Sequence, residues 1–183
     1  MVLLASEYKI LKKGQTAPYF TLPATDGKTY SLSHFKSVKA ILIIFMCNHC
    51  PYVIPKIKEI KRIAADYQEQ GLVVIGINAN EDANYPEDSF ENMQKYAQKW
   101  DLPFLYLRDE SQHVAKTYGA VCTPDPFLFD KNFKLIYHGR IDDTHGKEAG
   151  VHELHEVIGE FMNTGTISRK EKPSMGCSIK WKV

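Results

Sequence analysis

Long apolar runs are what this 183-residue sequence has least of. The longest, Ala40–Cys47, falls far short of the ~20 residues a membrane-spanning helix needs, so no membrane partner is expected. An excess of one charge is also missing. The 23 Lys and Arg against 22 Asp and Glu leave a formal net charge of +1, which gives no bulk electrostatic reason to expect nucleic acid as a partner. Cysteine is scarce: Cys47, Cys50, Cys122 and Cys177 are too few for the disulfide framework of a small secreted domain. Repeats, low-complexity stretches and a linker are absent, which leaves one domain over 1–183. Met1–Ile10 has a short apolar start but lacks a basic lead, a long apolar middle and a small-residue cleavage site. A cytoplasmic location is therefore expected, and no cofactor.

What is present reads as an α/β domain. The composition, 44% hydrophobic and 25% charged, is that of an ordinary globular protein. Tyr19–Leu22 and Thr29–Leu32 flank an Asp26-Gly27 turn as a hairpin. Lys39–Met46 is a continuous apolar run, the pattern of a strand covered on both faces, and Leu72–Ile77 repeats it. Between them Val53, Ile57, Ile60, Ala64 and Tyr67 recur at helical spacing, which predicts a helix over Tyr52–Gln68 that Gly71 stops. Pro86 opens a second helix, with Phe90, Met93, Ala97 and Trp100 on one face. Phe104–Leu107 is a short strand, Ser111–Tyr118 a short helix, Phe127–Asp130 and Leu135–His138 paired strands, and Val151–Asn163 the last helix. Helices separating the early strands, and a hairpin closing the sheet, predict three layers around a mixed sheet, with a core over about 14–163. The remaining 164–183 is a basic tail, in which Arg169–Val183 holds five Lys or Arg and one Glu; the plain reading is a solvated charge run. Ile179 and Trp181 are odd for a free tail, so docking is expected, with Cys177 inert.

Cys47-Asn48-His49-Cys50 stands between the buried strand and the first helix. A single Cys-x-x-Cys is a weak signal, because zinc sites use it too, but structural zinc usually takes four ligands and only one such pair is present. The placement favours redox chemistry. The attacking species in disulfide exchange is thiolate, and a helix N-terminus stabilises negative charge. Lowering a thiol from ~8.5 to about 7 raises its thiolate fraction at pH 7 more than tenfold. Cys47, ahead of the helix, is then the exposed nucleophile, and Cys50, in the first turn, resolves the mixed disulfide. A charged His49 further stabilises the Cys47 thiolate; the plainer alternative is an exposed histidine without consequence. Pro55 either kinks the helix or marks a later start.

Strand, Cys-x-x-Cys, helix and a proline five residues beyond the second cysteine resemble the thioredoxin fold. Cys122-Thr123-Pro124, followed by the apolar strand ending at Asp130, resembles that family's Thr-Pro segment. The resemblance implies a cis Pro124 packed beside the cysteine pair and Thr123 offering backbone to a bound chain, so Thr123 and Pro124 are the candidate substrate-binding residues. Gly14–Phe20 and Gly27–Leu32 resemble the peroxiredoxin-like and TlpA-like branch, the AhpC/TSA redoxins, and Pro173–Trp181 resembles the ending of a redoxin-domain subgroup. The implied activity is that of a thiol–disulfide oxidoreductase working through Cys47 and Cys50 with His49. Its substrate would be a disulfide-containing protein or small molecule, and a separate reductant system would restore it.

Two departures bear on mechanism. A peroxiredoxin needs Thr or Ser three residues before its peroxidatic cysteine, where this chain has Ile44; an antioxidant peroxidase using Cys47 is the weaker alternative. Many thioredoxins carry a buried Asp six residues before the first cysteine, where this chain has Ile41, leaving His49 or Asp125 as substitutes. A third alternative is not an enzyme: a Cu(I)-binding or zinc-binding module of Cys47, Cys50 and a histidine such as His138 or His145. Cys122 and Cys177 are candidate auxiliary redox thiols. The plain alternative for Cys122 is a small buried hydrophobe.

Overall fold

The computed structural model describes residues 3–144 and 148–182. In chain order the elements are β1 (Leu3–Ala5), β2 (Thr21–Pro23), β3 (Thr29–Ser31), β4 (Ala40–Phe45), α1 (Ile57–Tyr67), β5 (Leu72–Asn78), α2 (Phe90–Lys99), β6 (Leu105–Arg108), α3 (His113–Tyr118), β7 (Cys122–Thr123), β8 (Asp125–Asp130), β9 (Leu135–Tyr137), α4 (Glu153–Thr164) and β10 (Met175–Ser178).

β4 is buried at every position and lies at the centre of a five-stranded mixed sheet, in the order β6-β5-β4-β8-β9. It runs parallel to β5, with Phe45 opposite Ile77, and antiparallel to β8, with Phe45 opposite Asp125. Successive side chains of a strand point to opposite faces, and here each face has its own core. Ile41, Ile43 and Phe45 pack with Phe20, Tyr118 and Phe127. Leu42, Ile44 and Met46 pack with Ile60 and Ile63 of α1, Met93 of α2 and Val157 of α4. Helices α1, α2 and α4 cover one face, and α3 with the β2–β3 hairpin covers the other. This is the expected three-layer α/β arrangement.

Three expectations fail at element ends. The first helix begins at Ile57, after one 3-10 turn over Ile54–Lys56, and not at Tyr52. Pro55 has no N–H and its ring clashes with the carbonyl four residues back, so it is tolerated only in an opening turn. Cys50 therefore stands well ahead of α1. Helix α2 is capped by Ser89, whose Oγ accepts from the Asn92 N–H, while Pro86 opens a separate 3-10 turn. The segment 164–183 is docked as expected, but it is part of the fold and not a solvated charge run. β10 lies between β1 and β7, antiparallel to both. Ser174 Oγ donates to the Pro124 carbonyl (2.6 Å), the Ile179 N–H to the Val121 carbonyl (3.0 Å) and the Lys180 N–H to Asn80 Oδ1 (2.9 Å). No helix among the described residues is long and apolar enough to cross a membrane.

Candidate active site

Sheet pairing along β4 ends where the Met46 N–H donates to the Ile77 carbonyl (2.9 Å), and Cys47 follows at once. The chain then turns, with the Val53 and Ile54 N–H groups both donating to the Cys50 carbonyl at 2.9 and 3.1 Å. The turn presses both sulfurs against Thr123. Cys47 Sγ lies 3.4 Å from Thr123 Oγ1, and Cys50 Sγ donates to the Thr123 carbonyl at 3.3 Å. The Thr123–Pro124 peptide is cis, as the resemblance implied. All four cysteines are thiols and all are buried. Cys47 is only 1% exposed, which corrects the expectation of an exposed nucleophile. The late start of α1 also takes away the helix terminus that was expected to stabilise its charge.

A polar network missed by sequence reasoning sits beside Cys47. The fully buried Asp88 accepts from the Asn48 N–H (2.8 Å), Asn78 Nδ2 (3.2 Å) and Asn80 Nδ2 (2.7 Å). Tyr106 Oη donates to Asn48 Oδ1 (2.8 Å), and Asn48 Nδ2 to the Glu87 carbonyl (2.8 Å). His49 Nδ1 stands 2.8 Å from Asp88 Oδ2, out of line for a hydrogen bond, so the contact is an ion pair when the ring is charged. The ring stacks on Tyr85, with centroids 5.5 Å apart. Asp88 falls in the first turn of the helix expected from Pro86, forty positions from Asn48. An acidic residue in a helix's first turn is ordinary and carried no signal of this role.

These contacts set the electrostatics. The Asp88 carboxylate raises the pKa of His49 above its ordinary value. Burial works against the Asp88 charge, but His49, Asn80 and Asn48 hold that carboxyl below its usual range. Burial, a hydrogen bond with Cys50 and the Asp88 charge together push the Cys47 thiol up. Cys50 moves the other way. The Cys47 thiol, against burial and helped by Thr123 and by the Cys177 side chain and backbone, draws it down to about 5. His49 faces Asp88, so it relieves the Cys47 charge only through that carboxylate.

The other predicted residues fall as follows. Asp125 is buried against His138 Nε2 (2.7 Å), and that ring stacks on Phe127. Burial raises the Asp125 pKa. His138 is held there as a core histidine; His145 lies outside the described residues. Among the described residues, the donor atoms that could together face a metal ion are those of Cys47, His49 and Asp88, within 4.8 Å of one another. The Asp88 oxygens already take the amide donors and face the His49 ring, so this set is occupied by its own network. Cys122 is a buried thiol pushed up first by burial and then by Asp125. Cys177 stands opposite Thr123 in β10 and against Cys50.

A family model described as Redoxin matches residues 12–157. A Coxiella burnetii protein assigned provisionally as peroxiredoxin bcp is 31% identical over 126 residues, covering 69% of this chain and 77% of that protein. The thiol-disulfide oxidoreductase ResA of Geobacillus thermodenitrificans is 30% identical over 125 residues, covering 67% of this chain and 66% of that protein. Among solved structures, an uncharacterized conserved protein from Geobacillus kaustophilus superposes with a TM-score of 0.91 at 42% identity, covering 100% of this chain and 97% of that one. The thioredoxin domain of a thiol-disulfide oxidoreductase from Bacteroides vulgatus, with a TM-score of 0.68 at 19% identity, covers 84% of this chain and 99% of that one, and shares the fold.

Proposed function

This chain belongs to the Redoxin family and is a thiol–disulfide oxidoreductase; from that premise we propose that Cys47 and Cys50 are its redox pair, with Cys47 attacking and Cys50 resolving. The observation that carries the reading is the pair itself: two thiols at the end of the central strand, both held on Thr123. Cys47 is the attacking sulfur because it faces the partly exposed His49 rim, whereas Cys50 is sealed between the Thr123 carbonyl and Cys177. For attack, the Cys47 thiol first gives up its proton to solvent. The Cys47 thiolate displaces one thiolate from the substrate disulfide. Cys50, losing its own thiol proton, then attacks the Cys47 sulfur and releases the second thiolate. Two electrons pass to the substrate, the Cys47–Cys50 disulfide remains, and a dithiol reductant restores it.

His49 and Asp88 act as positioning residues that tune Cys47. The Thr123 hydroxyl and Pro124 line its approach. The expected backbone edge of Thr123 is already paired with β10 of the same chain, so the substrate reaches Cys47 from the His49 side. Peroxide reduction is not favoured: Ile44 is buried in the helix-side core, with no hydroxyl to polarise peroxide. We also propose a cytoplasmic location, where thiols stay reduced; recovery of the protein outside the cytoplasmic fraction would contradict it.

Reduction of insulin disulfides by dithiothreitol tests the assignment. The wild type accelerates the reaction, Cys47→Ser falls to the uncatalysed rate, and Cys50→Ser stalls as a trapped mixed disulfide. Full activity in Cys47→Ser would remove Cys47 from its role.

A further inference from the structure

Cys177 was expected to be inert, but the fold places its thiol with the redox pair. β10 pairs with β7 in a register that sets Cys177 directly opposite Thr123 and Ser178 opposite Cys122. Side chains of directly opposed residues in an antiparallel pair lie on the same face. Cys177 therefore shares a face with the Thr123 side chain, whose hydroxyl touches Cys47, while Cys122 belongs to the other face. The Cys177 side chain and backbone both act to lower the pKa of Cys50. Cys177 also packs in the same core cluster as Cys47 and Cys50.

The approach is built by particular residues. A Cβ on Gly176 would overlap the Thr123 carbonyl oxygen and stand 2.6 Å from its carbon and 3.2 Å from the Pro124 nitrogen, so only glycine lets β10 cross here. Ser174, 2% exposed, anchors one side of the crossing on the Pro124 carbonyl, and Ile179 and Lys180 anchor the other. The strand delivers a thiol to the pair and holds it there.

We propose that Cys177 is a third redox thiol of this site, which takes Cys50 over from the Cys47–Cys50 disulfide and ties β10 across the Thr123–Pro124 edge. The inference rests on the pair cycling as proposed above. The Cys177 sulfur attacks the Cys50 sulfur, the Cys47–Cys50 bond breaks, and the leaving Cys47 thiolate takes the proton that Cys177 gives up. One disulfide and one thiol enter, and one disulfide and one thiol leave, so no further oxidant is needed. In the reduced protein Cys177 is held up to about 12, first by burial and then by Cys50. Once Cys50 is in a disulfide it carries no charge, and that part of the hold is released. The product is a closed form in which Cys47 is again a thiol and the terminal strand is covalently fixed.

Peptide mapping tests this. The intact protein is oxidised with stoichiometric diamide, quenched with N-ethylmaleimide and cut with trypsin. Cys47 and Cys50 fall in the peptide Ala40–Lys56, and Cys177 in Glu171–Lys180. The expected main oxidised species is a monomer with these two peptides joined and Cys47 alkylated, and in Cys177→Ser it is replaced by a loop within Ala40–Lys56. If the wild type shows only that loop, with Cys177 alkylated, the third-thiol role is wrong and the redox pair stands. A cross-link that leaves Cys50 alkylated, or that occurs only between two chains, also overturns it. If Cys177→Ser forms no loop, the pair itself does not cycle and both readings fall together.

Discussion

Asp88 places a buried negative charge where a nucleophilic thiol would be hindered by it. The same carboxylate keeps His49 protonated to higher pH, and the charged ring offsets part of the hindrance. The pH window of this pair follows from the two directions. The raised His49 value contributes stability that is full below its ordinary 6.5 and is lost as pH climbs through the raised value. The lowered Asp88 value contributes stability present above its ordinary 3.8 and lost as pH falls through the lowered value. The pair thus contributes fully between those two ordinary values. Asp88→Asn removes it and sets an amide donor against the Asn80 amide, at a cost of about 1–3 kcal/mol for the buried group left unsatisfied. In urea titrations the loss relative to wild type is largest across that window and narrows above the raised His49 pKa. A loss that is flat with pH would show that the ion pair is not formed.

Among the elements, Gly176 carries the sharpest expectation. Gly176→Ala forces β10 away from the Thr123–Pro124 backbone, with an overpacking cost of about 1–3 kcal/mol. Stability measured by urea falls by that amount, and Cys177 becomes rapidly alkylated in the native protein; unchanged stability with a still-protected Cys177 would refute the crossing geometry. Other parts of the same region show what the sequence made readable. β4, β5 and β8 were plain because Ala40–Phe45, Leu72–Asn78 and Phe127–Phe129 are apolar runs that only a doubly covered sheet can bury. β10 was hidden because Met-Gly-Cys-Ser has neither alternation nor apolar bulk, and its partner Leu3–Ala5 is more than 160 positions away. The start of α1 was misread because the apolar period continues from Val53 into Ile57 and masks the break at Pro55. Within the site, Cys47, Cys50, Thr123 and Pro124 were legible from local motifs. Cys177 was flagged only as an auxiliary thiol, and Asp88 was not flagged at all, since only the folded chain brings them to the pair.

At the scale of the whole molecule, the two larger sheets have different depth. The five-stranded sheet lies between two cores, while the β1-β10-β7 sheet has its outer strand at the surface, with Leu3 and Leu4 exposed. Regions with fewer buried apolar contacts open at lower free energy. Hydrogen exchange on the reduced protein should therefore protect the amides of β4 and β5 longest and release those of β1 and β10 first. Equal protection in both sheets would mean that they unfold as one unit.

The position of β10 also has a consequence for how the protein is made. The Cys47–Cys50 segment leaves the ribosome well before the strand that covers it. At ~5–20 residues per second, the stretch from Cys50 to Cys177 takes roughly 6–25 s to translate. Throughout that interval the nascent chain carries both thiols with no strand available to cover them, and the site is completed only when β10 is in place.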